Sequence, residues 1–119
     1  MLKKPHKNLD VWKKAIDLVQ QVYELTKYFP KNEDYSLTSQ MRRSAISVPS
    51  NISEGAARQT KKEFIQFLHM AQGSLSELDT HMEIALRLDY VQQKSIHEIS
   101  VLMKDIDKMT TGLIKSLKK

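Results

Sequence analysis

Residues 60–85 read TKKEFIQFLHMAQGSLSELDTHMEIA, and this stretch decides the fold class. Phe64, Leu68, Ala71, Leu75, Leu78, Met82 and Ala85 step by four and three residues in turn. That alternation keeps one apolar seam on a helix, as in bundle cores and coiled coils. Thr60 with Glu63 three residues later has the form of a capping box, so a helix is expected to open there. Gly73-Ser74 within the seam are small enough to let another helix come close. Asp89-Tyr90 is the expected turn, because Asp tolerates the left-handed conformation that ends helices.

The same spacing recurs on either side. Upstream, Leu9, Trp12, Ile16, Val19 and Tyr23 form one apolar row, and Ala15, Leu18, Val22 and Leu25 form a second. The first helix is expected to start with Asn8 as its cap and Asp10 at the positive end of its dipole. Phe29-Pro30 should end it, and Lys31 to Asp34 should connect it to the next. The second helix carries Leu37, Met41, Ala45, Val48 and Ile52 on one face and fades around Arg58-Gln59. Pro49 sits inside it, yet the apolar phase continues, which predicts a kinked but continuous helix. Ser44, Ser47, Ser50 and Ser53 are placed to bond carbonyls that the proline frees. Downstream, Ile96, Ile99, Met103, Ile106, Met109, Leu113 and Leu117 mark a fourth helix.

Four helices of roughly 27–40 Å with short connections pack as antiparallel neighbours. The expectation is an all-α protein, an antiparallel up-down-up-down four-helix bundle kinked at Pro49, forming a single domain over residues 1–119. A chain of 119 residues with 40% apolar and 28% charged residues can bury one continuous core. Only 3 Gly and 3 Pro occur, which disfavours folds built from many tight turns.

The absence of cysteine excludes disulfides, thiolate metal sites and cysteine nucleophiles. The basic N-terminus has no apolar stretch behind it, and no apolar run approaches the ~20 residues of a membrane helix. A cytoplasmic location without membrane contact is therefore expected.

The chain carries a net charge of +5. Residues 1–30 and 91–119 contribute +3 each, against +1 and −2 for the two middle quarters. An antiparallel bundle can merge the two outer quarters into one basic surface. Such a surface permits nucleic-acid binding, and it is equally the mark of a soluble protein with surplus lysine. Candidate phosphate-binding residues are Lys13 and Lys14 beside Lys3, Lys4 and Lys7, then Arg58, Lys61 and Lys62 at a helix junction, and Lys115, Lys118 and Lys119 at the end. Trp12, Phe64 and Phe67 fall on or beside apolar faces, which leaves few aromatic rings for base stacking.

Catalytic patterns are missing. No glutamate is followed three residues later by histidine, as carboxylate-bridged metal bundles require. Glu77 and His81 can meet on one helix face, a spacing that reads first as a surface contact. His81 and Glu83 form His-x-Glu without the cysteine pair of zinc deaminases. There is no nucleophile elbow, phosphate loop or dinucleotide fingerprint. None of Arg42, Arg43, Arg58 and Arg87 has a histidine four to six residues on, as helical ribonucleases use. No metal and no cofactor is expected, and no enzymatic activity.

Two features remain. Gln40, Arg43, Ser47, Ser50, Glu54 and Arg58 form a polar stripe on the second helix, either the solvated side or a contact surface for a subunit or RNA. The double row on the first helix, with Leu18 and Val22 in its second row, exceeds what one seam needs. A wide core explains it, and so does a subunit interface.

Several strings together resemble one family. They are Asn8-Leu9-Asp10-Val11-Trp12-Lys13-Lys14-Ala15, Gln40-Met41-Arg42-Arg43-Ser44-Ala45, Val48-Pro49-Ser50-Asn51-Ile52-Ser53-Glu54-Gly55, Phe67 to Leu78, and Gly112 to Leu117. In this order and spacing the chain resembles the bacterial four-helix-bundle proteins encoded in intervening sequences of 23S ribosomal RNA genes. Asp89 departs from the glycine usual before the tyrosine, and Gln92 from a better helix cap. The resemblance implies an antiparallel bundle assembled as a homopentamer. Related accessory proteins of diversity-generating retroelements form basic barrels that bind a reverse transcriptase and nucleic acid. The resemblance supplies no catalytic residues and no established role. The expected function is a non-enzymatic oligomeric protein that binds RNA; the alternative is an adaptor that holds a partner enzyme.

Overall fold

The computed structural model describes residues 1–119 and contains four α-helices and no strand. They are α1 (Asp10–Thr26), α2 (Leu37–Ala56), α3 (Lys61–Arg87) and α4 (His97–Leu117). Short 3-10 turns at Pro5–Asn8, Lys31–Glu33 and Gln93–Ile96 precede α1, α2 and α4. The molecule measures 44 × 27 × 19 Å, so its long axis is about the length of α3.

Local chemistry sets most helix ends. Thr60 Oγ1 accepts the Glu63 amide at 3.1 Å and donates to Glu63 Oε1 at 3.0 Å. This confirms the expected start of α3. Its other end is a Schellman closure: the Tyr90 amide reaches Ala85 O at 2.9 Å and the Asp89 amide reaches Leu86 O at 3.1 Å. Asp89 takes φ 61°, the left-handed conformation usually left to glycine.

The start of α1 differs from the sequence expectation. Asn8 does not cap it. Pro5 opens a 3-10 turn that consumes Asn8, and Leu9 becomes the capping position with no side-chain bond. α2 runs through Pro49 without interruption. The serines around it do not serve the carbonyl of Ala45, which the missing proline N–H leaves free. Ser44, Ser47 and Ser53 donate instead to the carbonyls of Met41, Arg43 and Ser50.

Each helix packs on two neighbours in the cyclic order α1–α2–α3–α4, with α2 and α3 in the most extensive contact. Adjacent helices run antiparallel, as the cross-contacts require. Arg42 in early α2 meets Thr26 in late α1, and Gln72 in early α3 meets Thr111 in late α4. Twenty-one buried apolar side chains form one continuous core. It includes six of the seven seam residues of α3, and Phe64 packs at its edge.

The core also settles the two rows of α1. Val11, Ala15, Leu18 and Val22 are buried inside the protomer, while Ile16 and Tyr23 of the other row stay exposed. Leu18 and Val22 are therefore core residues and not interface residues. A four-helix core surrounds α1 from two sides, and the wide apolar arc is needed there.

Candidate nucleic-acid interface

Antiparallel topology carries three separate basic segments to one end of the bundle. The N-terminal segment precedes α1, the α2–α3 junction lies between residues 56 and 61, and α4 finishes at Leu117. All three occur where α1 and α3 begin and α2 and α4 end. The 3-10 turn Pro5–Asn8 packs against α2 as well as α1, which draws the N-terminal lysines toward the junction. Segments 1–13, 57–63 and 112–119 together hold ten of the 19 Lys and Arg residues and two of the 14 acidic residues. This end is a basic pole, and the rest of the molecule is net acidic.

The pole is positioned by a close helix approach. At Gly55, an added Cβ would lie 2.8 Å from Phe67 Cβ and 2.9 Å from Phe64 Cδ1. Only glycine lets α2 and α3 come this near. One turn on, the Arg58 guanidinium lies 4.8 Å from the Phe67 ring centre and 3.0 Å from Glu54 Oε1. Arg58 is thus ordered, with part of its charge offset by Glu54. Lys61 and Lys62 project freely from the first turn of α3. Lys13, Lys115, Lys118 and Lys119 are exposed and unpaired, whereas Lys14 stands 3.7 Å from Asp105 on α4. Lys7 donates to the carbonyl of Leu2, and His6 packs edge-on against Trp12 at 5.1 Å. Surface ion pairs are weak, so Arg58 and Lys14 remain available to phosphate.

The aromatic side chains of this end are not free platforms. Trp12 and Phe64 are partly buried against the core, and Phe67 is partly buried with the Arg58 guanidinium over its ring. The fully exposed rings, Tyr28 and Tyr35 at 85% and 100%, sit at the opposite end, in the α1–α2 connection. Sequence periodicity gave them no place on any helix face.

The α2 stripe is open to solvent at Gln40, Arg43, Ser50, Glu54 and Arg58, and Ser47 is half-buried. Glu54 is engaged with Arg58. His81, expected at the surface beside Glu77, is instead buried at 7% exposure, with Nδ1 3.3 Å from Ser44 Oγ across the α2–α3 contact. It steps in phase with the seam and fills a place beside Leu78 and Met82. The remaining histidines are dispersed, and no group of three or more His, Asp or Glu side chains converges to hold a metal ion.

Arg42 holds a position that the sequence did not single out. Its Nε donates to Thr26 Oγ1 at 2.9 Å and its guanidinium covers the Tyr23 ring at 4.4 Å. The only sequence sign is the Arg42-Arg43 doublet, which does not reveal its partners on α1.

A solved structure shares this fold: a protein of unknown function from the S23 ribosomal protein family of Bacteroides thetaiotaomicron VPI-5482. It is 24% identical, with a TM-score of 0.81 over 88% of this chain and 98% of that one. Comparison with curated proteins gave no match. The family model described as 23S rRNA-intervening sequence protein matches residues 7–112, from the N-terminal turn almost to the end of α4. On that match the chain belongs to the 23S rRNA-intervening sequence protein family.

Proposed function

We propose that this protein is a non-enzymatic, oligomeric binding protein that holds RNA through its basic pole. The observation that carries this reading is the gathering of ten cationic side chains and two acidic ones at one end of a 119-residue bundle. Lysine and arginine at such density displace counterions from a phosphate backbone, and the contact is nearly blind to sequence. The scarcity of free aromatic rings at the pole favours backbone contact over base stacking.

A single subunit would hold RNA weakly. A homopentamer, the assembly implied by family resemblance, would repeat the pole around an axis and strengthen the contact by avidity. Exposed Ile16 on α1 and Val101 on α4 offer apolar surface for such an assembly. The reading places the protein in the cytoplasm; no helix is long and apolar enough to cross a membrane.

The test is RNA binding measured across a salt series. Affinity should fall steeply with salt and vary little with RNA sequence. Replacing Arg58, Lys61 and Lys62 together by alanine should weaken binding to every RNA alike and flatten the salt dependence by up to about three phosphate contacts. Absence of binding at ~50 mM salt, where phosphate contacts are strong, would overturn the reading in favour of a protein adaptor.

A further inference from the structure

The flank of the bundle, away from the basic pole, carries a second cationic feature of a different kind. A groove of about 640 Å³ runs between α1 and α2, and both Arg42 and Arg43 line it. Its size falls within the range of small-ligand sites. Arg42 lies fourteen residues before Ala56, the last residue of α2, and so roughly 21 Å from the basic-pole end of that helix at 1.5 Å per residue.

Three observations separate this groove from an ordinary solvated helix face. First, Arg42 is held in place before any ligand arrives. Thr26 engages its Nε and the Tyr23 ring supports its plane, which leaves the two terminal nitrogens as donors. Second, neither arginine is neutralised. The chain makes four ion pairs, and none of them involves Arg42 or Arg43. Asp34 borders the groove without pairing to either. Third, Ser39 and Ser50 place hydroxyl groups on the same wall.

We propose that the α1–α2 groove binds a phosphate group, with Arg42 and Arg43 as its ligands. A planar guanidinium gives two parallel donors to phosphate oxygens, and ordering it in advance removes much of the entropy cost of binding. The groove is open along α2, so the phosphate can belong to a small phosphorylated metabolite or to a polynucleotide backbone. The proposal does not depend on RNA binding at the basic pole.

The experiment is isothermal titration calorimetry on the intact protein with inorganic phosphate, adenosine 5′-monophosphate, adenosine and a short oligoribonucleotide without terminal phosphate. Saturable binding of phosphate or the monophosphate, and not of adenosine, is the expected result. Arg43→Ala, at an exposed position, should weaken it about tenfold, the scale of one charge-assisted bond. Arg42→Lys keeps the charge and removes the fork, and should weaken it similarly. Lys61→Ala with Lys62→Ala, at the basic pole, should leave binding of inorganic phosphate and the monophosphate unchanged and weaken only that of the oligoribonucleotide. Tighter binding of the monophosphate than of the oligoribonucleotide supports the proposal with a small-molecule source. The reverse order supports it with a polynucleotide source, provided Arg43→Ala weakens that binding too. The proposal is overturned if no phosphate compound saturates, if adenosine binds as well as its monophosphate, or if the Lys61/Lys62 variant loses binding of inorganic phosphate and the monophosphate while Arg43→Ala retains it. A thermal melt of each variant checks folding; should Arg42→Lys fail to fold, Arg43→Ala decides alone.

Discussion

The phenol of Tyr90 donates a 2.7 Å hydrogen bond to Glu33 Oε2, tying the α1–α2 connection to the turn between α3 and α4. The two residues are 57 positions apart and close the end of the bundle opposite the basic pole. The Phe29 ring packs on Tyr90 at 5.4 Å and completes the clasp. Hydrogen bonds from Ser36, then Tyr90, hold the Glu33 carboxyl below its ordinary range, against an opposing effect of burial. The same bond to Glu33 pushes the Tyr90 phenol up.

These shifts give the clasp a pH window. A carboxylate with a lowered folded-state pKa contributes stability that is present above its unfolded value, about 4.3, and lost as pH falls through the folded value. A phenol with a raised pKa contributes stability that is present below about 10 and lost as pH rises through its folded value. Tyr90→Phe should lower the melting temperature at pH 7, and the gap to wild type should narrow on acidification below pH 4. Thermal melts at a series of pH values measure this; a gap independent of pH would show that the charge of Glu33 adds nothing to the bond.

The three glycines should respond to alanine in opposite ways. At Gly55 the new Cβ meets Phe67 and Phe64 at under 3 Å, so overpacking should cost about 1–3 kcal/mol despite the better helix propensity. At Gly73 and Gly112 nothing lies within 4 Å of the added atom. Alanine there should stabilise the protomer by up to about 1 kcal/mol each. Denaturant titration reads all three. A loss of assembly on Gly73→Ala, with the protomer still folded, would locate a subunit contact on that face of α3.

Leu18→Ala should act on stability and leave surface chemistry alone. Leu18 is fully buried, and removing such a side chain typically costs about 2–5 kcal/mol. Light scattering on the variant, under conditions where it stays folded, should give the same oligomeric mass as wild type. A folded variant of changed mass would return Leu18 to the interface.

Ser44→Ala should leave His81 Nδ1 without its partner in the α2–α3 contact. A buried polar atom stranded in this way costs about 1–3 kcal/mol. The double variant Ser44→Ala/His81→Leu removes both polar groups and should recover part of that loss. Additive losses in a double-mutant cycle would show that the two side chains are not coupled.

The sequence by itself determined the helices. Their period is a local property, so the four apolar rows, the Thr60 cap and the left-handed turn at Asp89 could all be read before any packing was known. Local reading failed where two local solutions competed, as when Pro5 drew Asn8 into a 3-10 turn and moved the start of α1 to Leu9. The charge of each segment was equally legible, and so were the lysines of the candidate pole. What only the tertiary structure decided was phase and proximity. Both rows of α1 repeat with helical spacing, and only packing between α2 and α4 turned Leu18 and Val22 inward and left Ile16 and Tyr23 outside. Residues 4, 58 and 118 share one end because adjacent helices run antiparallel, which no single segment encodes. Arg42 with Tyr23 and Thr26, and Ser44 with His81, join positions on different helices. Their geometry depends on how far one helix is rotated and shifted against the next, and that is set by close packing of the whole core.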